Sequence, residues 1–156
     1  MGEPGLIPMS DTVRRAVLKE AQSWIGTPYL HRASQKDAGA DCLGLLRGIW
    51  RALYGDEPEA LPHYKPDWAE RGGEETLLHA AERHLVSLPD GQRRPGDVIL
   101  FRFAPLCPAK HCAVLAQPGR MIHAWHRQAV CETALGPWWE RRSAGVFAFP
   151  EYPEGR

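Results

Sequence analysis

The chain has 156 residues, 44% of them hydrophobic, with 19 basic and 19 acidic side chains and no net charge at pH 7. That length supports one domain with a substantial core. The charge balance excludes a basic nucleic-acid surface, and no apolar run is long enough for membrane insertion. The reading is a single domain over 1–156 with its core over about 10–150.

Residues 1–8 have neither the basic start nor the apolar stretch of a signal peptide. Synthesis in the cytoplasm, with the four cysteines as reduced thiols, is the expectation. Ser10 or Asp11 can cap a first helix whose apolar stripe is Val13, Ala16, Val17, Ala21, Trp24 and Ile25. Gly26-Thr27-Pro28 stops it. Residues 27–41 read as a polar loop carrying Tyr29 and His31. A second helix starts near Cys42, buries Leu45, Leu46, Ile49, Trp50 and Leu53, and ends at Gly55. Residues 56–73 are rich in Pro, Gly and charge and read as a surface excursion. A third helix covers about 74–85, with Leu77, Leu78, Ala81 and Leu85 on one side.

After a turn region at 89–96 the apolar period shortens. Residues 97–103, 111–116, 121–125, 129–133 and 145–149 read as strands. Helices followed by an antiparallel meander make an α+β domain, with the helices packed on one side of a sheet of about five strands.

Cys42 lies where the glycine-bearing segment Gly39-Ala40-Asp41 runs into the second helix. A thiol in a helix's first turn meets the positive end of the helix dipole and is biased toward thiolate. Such a nucleophile needs a base, and the base needs an orienting group. Of the seven histidines, His63 reads as exposed, and His79 and His84 as structural. His31 reads as a solvated loop residue and His126 as a rim residue. His111 and His123 lie on two strands flanking Gln117-Pro118-Gly119-Arg120. A two-residue Pro118-Gly119 loop sets His123 across from Val114, away from His111. A three-residue loop, or a bulge at Gly119, sets it across from Ala113, on His111's face. The second arrangement is favoured, because a plain Pro-Gly turn splays the strands.

These residues resemble a family. Asp41-Cys42-x-Gly44-Leu45 at a helix start, Pro95-Gly96-Asp97-Val98 opening a strand, His111 opening the next, Gly119-Arg120-Met121-Ile122-His123-Ala124, and Ile25-Gly26-Thr27-Pro28-Tyr29 upstream are similar to the NlpC-type papain-like cysteine peptidases. The resemblance implies a papain-like fold and cleavage of bacterial cell-wall stem peptides, often between D-γ-glutamate and a diamino acid. It implies Cys42 as nucleophile, His111 as base, His123 as the third polar residue, and Tyr29 and Asp41 beside the oxyanion and substrate. No cofactor is implied. The chain departs from the usual pattern at Leu43, at Leu30-His31-Arg32 and at Cys112-Ala113.

A zinc site of Cys107, His111, Cys112, His123 and Cys131 is the weaker reading, since adjacent strand residues face opposite ways and no CxxC or HxxxH pair exists. A cytoplasmic muropeptide-recycling peptidase or amidase, or a catalytically silent assembly module, are the alternatives to a wall peptidase. With no visible export signal, the expectation is delivery in a phage-tail-like particle of the kind encoded in tail or gene transfer agent clusters. The partner is then a tail-tip or baseplate hub. The docking surface is placed on residues 56–73, with Tyr64 and Trp68, against the alternative of an Ω-loop over the core. Trp138-Trp139 is a second candidate surface, with core packing as its alternative.

Overall fold

The computed structural model describes residues 11–59, 73–125 and 127–152. α1 (Asp11–Ser23) turns Val13, Val17 and Ala21 inward, the spacing that keeps one helix face on a core. Trp24 stays in the core beyond the helix end, whereas Ile25 is exposed. α2 (Cys42–Tyr54) begins at an Asp41 cap and ends at Gly55, whose φ is 94°. α3 (Thr76–His84) buries Leu77 and Ala81. A fourth, one-turn helix, α4 (Pro137–Glu140), has no counterpart in the sequence reading.

The strands are β1 (Ser34–Gln35), β2 (Gly39–Ala40), β3 (Val86–Leu88), β4 (Val98–Phe101), β5 (His111–Leu115), β6 (Arg120–His123), β7 (Cys131–Ala134) and β8 (Ser143–Ala148). β1 and β2 form a small ribbon inside the segment read as a loop. The other six make one antiparallel sheet in the order β3-β8-β4-β5-β6-β7. The α+β layout is as expected, but the main sheet has six strands. The meander also stops at β7, and β8 returns to lie between β3 and β4. β3 escapes sequence reading because it is three residues long with Val86 exposed, and only its pairing with β8 makes it a strand.

Both faces of the sheet are covered. On one face Val98, Leu100, Cys112, Val114 and Ile122 pack against α1, α2 and α3. On the other, Ile99, Phe101, Ala113, Leu115 and Met121 pack with Leu135, Val146 and Trp139 of α4. The three long helices therefore do share one side, as expected, while α4 and its flanking loop close the other. Burial on both faces explains why β4 reads Val-Ile-Leu-Phe without alternation. No helix among the described residues is long and apolar enough to cross a membrane.

Most of the 56–73 excursion, including His63, Tyr64 and Trp68, lies outside the described residues, as does His126. Its start is tied down. The Glu57 carboxylate pairs with Arg47 at 2.7 Å and Arg51 at 2.9 Å, both on α2.

One buried ion pair joins the helices to the sheet. Arg14 Nε donates to Asp97 Oδ1 at 2.9 Å, and the Arg94 backbone N–H donates to Asp97 Oδ2 at 2.8 Å. Asp97 is completely buried at the entrance to β4. Burial pushes its carboxyl above the usual range, against the pull of Arg14. Asp97→Ala removes the buried carboxylate to which Arg14 Nε donates, and is expected to cost about 3–5 kcal/mol in urea unfolding. Replacing both residues with apolar side chains of similar volume should recover most of that loss.

Candidate active site

Cys42 is the first residue of α2. The turn before it is fixed by Asp41, whose Oδ1 accepts from the Gly44 N–H and Oδ2 from the Arg32 N–H, both at 2.7 Å. Gly44 is required by a close approach: a Cβ there would come within 1.8 Å of the Ala33 carbonyl oxygen. The Asp41 carboxylate is buried and turned inward as a cap, with His31 Nδ1 3.9 Å away. Tyr29 is half-buried and bridges to Ala40. Its hydroxyl is pushed above its ordinary pKa by burial, then by the negative charges of Asp41 and Cys42.

The helix start is seated on the start of β5. The Cys42 sulfur lies 3.8 Å from the Lys110 carbonyl oxygen. The Cys112 thiol donates to the Cys42 carbonyl oxygen at 3.3 Å. The Cys42 thiol is lowered to a pKa of about 5. A hydrogen bond from Cys112 is the largest cause. Burial opposes it, the His111 ring adds a favourable charge and hydrogen bond, and the Asp41 charge opposes again. These surroundings favour the thiolate form of Cys42 at neutral pH.

The β5–β6 hairpin decides the histidine geometry. Val114 pairs with Ile122 and Leu115 with Met121. The Ala116 N–H donates to the Arg120 carbonyl at 3.0 Å, which leaves Gln117-Pro118-Gly119 as a three-residue loop. Gly119 takes φ 79°, the left-handed conformation a side chain would resist. Continued one step, this register sets His123 across from Ala113 and on the face of His111. The two rings meet, with His111 Nε2 2.8 Å from His123 Nδ1. That contact leaves His111 Nδ1 for the sulfur. His123 Nε2 in turn lies 3.0 Å from Thr133 Oγ1 on β7.

Sequence reasoning missed Thr133 as a partner of His123. It stood at the end of a recognised strand, but its facing residue depends on the β6–β7 register, which sets it across from Met121, next to His123. Also missed was the aromatic wall around the two imidazoles. His111 lies 5.0 Å from the Trp125 ring, 5.5 Å from Trp139 and 5.9 Å from Phe101. Trp139 also meets His123 edge-on at 5.4 Å. Of the Trp138-Trp139 pair, Trp139 thus backs the histidines, while Trp138 is exposed with the Arg142 guanidinium 3.7 Å over its ring. His111 and Cys112 point to opposite faces of β5, and among the described residues no three His, Cys, Asp or Glu side chains cluster as a metal site.

Burial, and then repulsion from His111, lower His123 from an ordinary 6.5 to about 3. His123 is therefore neutral and can accept a proton-mediated bond from His111 while donating to Thr133. Between about pH 3 and 6.5 the unfolded chain binds a proton that native His123 refuses, so acid destabilises the fold across that window. Unfolding free energy should fall as pH drops below about 6.5, and His123→Gln should flatten that slope; chemical denaturation at several pH values measures it.

Residues 26–147 match the NlpC/P60 family model. Gamma-DL-glutamyl hydrolase of Bacillus subtilis (strain 168) is 28% identical over 137 residues, covering 85% of this chain and 29% of that protein. An NLP/P60 family protein of Staphylococcus aureus subsp. aureus Mu50, described as similar to a lipoprotein, aligns with a TM-score of 0.67 at 16% identity, over 96% of this chain and 45% of its own. The NlpC/p60 domain of the peptidoglycan hydrolase SagA aligns at 0.61 and 21% identity, over 87% of this chain and 98% of that domain. The chain thus spans less than half the length of the first two relatives and nearly all of the SagA domain. These structural likenesses establish a shared papain-like fold, and the family match, extending over most of the sequence, establishes that this chain belongs to the NlpC/P60 family.

Proposed function

We propose that this chain is a cysteine peptidase that cleaves the stem peptides of bacterial peptidoglycan by a Cys-His-His mechanism. One observation carries the reading: a thiolate-biased Cys42 at a helix start faces His111, whose far nitrogen is held 2.8 Å from a neutral His123. In this mechanism the Cys42 thiolate attacks the scissile carbonyl carbon. The resulting oxyanion is met by the Cys42 backbone N–H in the first turn of α2 and by the Tyr29 hydroxyl. Protonated His111 gives its proton to the departing amine, leaving an acyl-thioester. His111 then takes a proton from water as that water attacks the thioester, and the carboxylate product leaves. His123 transfers no proton; it holds the ring of His111 in place, and Thr133 holds His123. Asp41 acts through the backbone by fixing the turn that presents Cys42. The B. subtilis relative's name, a γ-glutamyl hydrolase, supports a γ-D-glutamyl bond as the point of cleavage.

The proposed setting is a phage-tail-like particle, with a tail-tip or baseplate hub as partner. The supporting consideration is physical: a wall peptidase has to be carried to its polymer, and tethering there raises the effective substrate concentration.

Two measurements test these readings. Incubation with purified sacculi should release stem-peptide fragments identifiable by mass spectrometry. Cys42→Ser should abolish that release with the fold intact, and His111→Ala should lower kcat/KM by about 10²–10⁴-fold. His123→Asn should keep more activity than His123→Ala, since orientation is its task. Mass spectrometry of purified particles should find the chain together with a tail-tip or baseplate component; abundant free enzyme acting on soluble muropeptides, and none in particles, overturns the particle setting.

A further inference from the structure

The position after the base, where the family pattern usually has valine, holds Cys112. Its thiol is buried on the helix-facing side of the sheet, opposite in direction to His111, and donates to the Cys42 carbonyl oxygen at 3.3 Å. A thiol hydrogen rotates freely about the Cβ–Sγ bond, so the group that reaches the Cys42 carbonyl can also turn toward the Cys42 sulfur. We propose that Cys112 is a positioning residue for the nucleophile: its single S–H, which holds the first residue of α2 against β5 through the Cys42 carbonyl, turns to the Cys42 sulfur when that sulfur carries the charge, as a donor beside His111. This rests on the reading of Cys42 as the nucleophile and adds a residue to its machinery.

The chemistry of the surroundings is consistent. The two thiols shift in opposite directions, Cys42 down and Cys112 well up, each with the hydrogen bond between them as the largest cause. One sulfur stays protonated and donates while the other carries the charge. The other titratable groups facing Cys42 divide by sign. His111 on β5 stabilises the thiolate, Asp41 at the cap opposes it, and Tyr29 responds to the charges of both. His31 stands behind Asp41, and His123 behind His111. The Lys110 ammonium sits 5.5 Å from the Phe103 ring centre. None of these can replace a donor that comes from beneath the helix. A valine at this position fills the same space without one.

The test reads thiolate content directly and needs no substrate. The rate of iodoacetamide alkylation of Cys42 is followed against pH by peptide mass mapping, under a phosphine reductant so that no disulfide forms. Thermal melting reports on the fold of each variant. In the native chain the alkylation midpoint should be acidic, and Cys112 should stay unmodified until unfolding. Cys112→Val should raise the midpoint by about one pH unit, making alkylation about tenfold slower below the native midpoint. Cys112→Ser, which restores a donor, should bring the midpoint most of the way back. An unchanged Cys112→Val midpoint overturns the proposal, and so does a serine variant that behaves like valine. If the valine variant does not fold, Cys112→Ala takes its place under the same criteria. If neither folds, the infrared S–H stretch of Cys112 in the native chain should shift as Cys42 ionises, and an unmoved band overturns the proposal. Failure to cleave sacculi leaves this titration untouched, so the two readings fail separately.

Discussion

The seating of the first turn of α2 on the first residues of β5 is the contact on which the site depends. A helix start supplies a positive dipole end and backbone donors, but only in one direction and over one turn. It stabilises a thiolate usefully only where the sulfur meets a base. Here Asp41 fixes the turn with two 2.7 Å bonds, Gly44 lets the Ala33 backbone pass close by, and Cys112 ties the Cys42 carbonyl to the sheet. A displacement of α2 by the length of one side chain would separate Cys42 from His111 while leaving both elements intact. The buried Arg14–Asp97 pair serves the same end from behind, because it locks α1, which packs on α2, to the strand beside β5.

The electrostatics of the two imidazoles follow from their aromatic surroundings. Two histidines 2.8 Å apart cannot both be cationic. The sheet face settles which one gives way, since His123 is buried on the face that carries Met121 and meets Trp139 edge-on, while His111 faces the thiolate. Kept neutral, His123 presents a lone pair to His111 and an N–H to Thr133. The line Cys42, His111, His123, Thr133 therefore runs across three adjacent strands and one helix end. Trp125, Trp139 and Phe101 keep water from the histidines at little cost in polar contacts, because their rings meet the imidazoles by edge and face.

Much of this was written locally. The α1 and α2 stripes, the cap at Asp41, the stop at Gly55 and the apolar strands β4, β5 and β6 are each specified by residues within one or two turns of themselves. Those signals place Cys42 at a helix start and His111 and His123 on neighbouring strands. The hairpin was half legible. Gln117-Pro118-Gly119 limits the loop to a few geometries, but whether His123 falls on His111's face turns on one residue of register. β3 and α4 were not legible, because three or four residues carry no period; each exists through what it packs on, β3 against β8 and α4 against the far face of the sheet.

The amino-acid order alone therefore settles the elements that bear the chemistry and the kind of group each presents, because helix periodicity, capping and strand composition are short-range properties. Which groups meet was decided by the tertiary structure. The pairing of Cys42 with Cys112, the link from His123 to Thr133, the inward turn of Asp41 and the wall formed by Trp125 and Trp139 all join residues whose contact depends on sheet order and strand register. These are long-range properties, set by the burial of both sheet faces at once, and no local stretch of the chain encodes them.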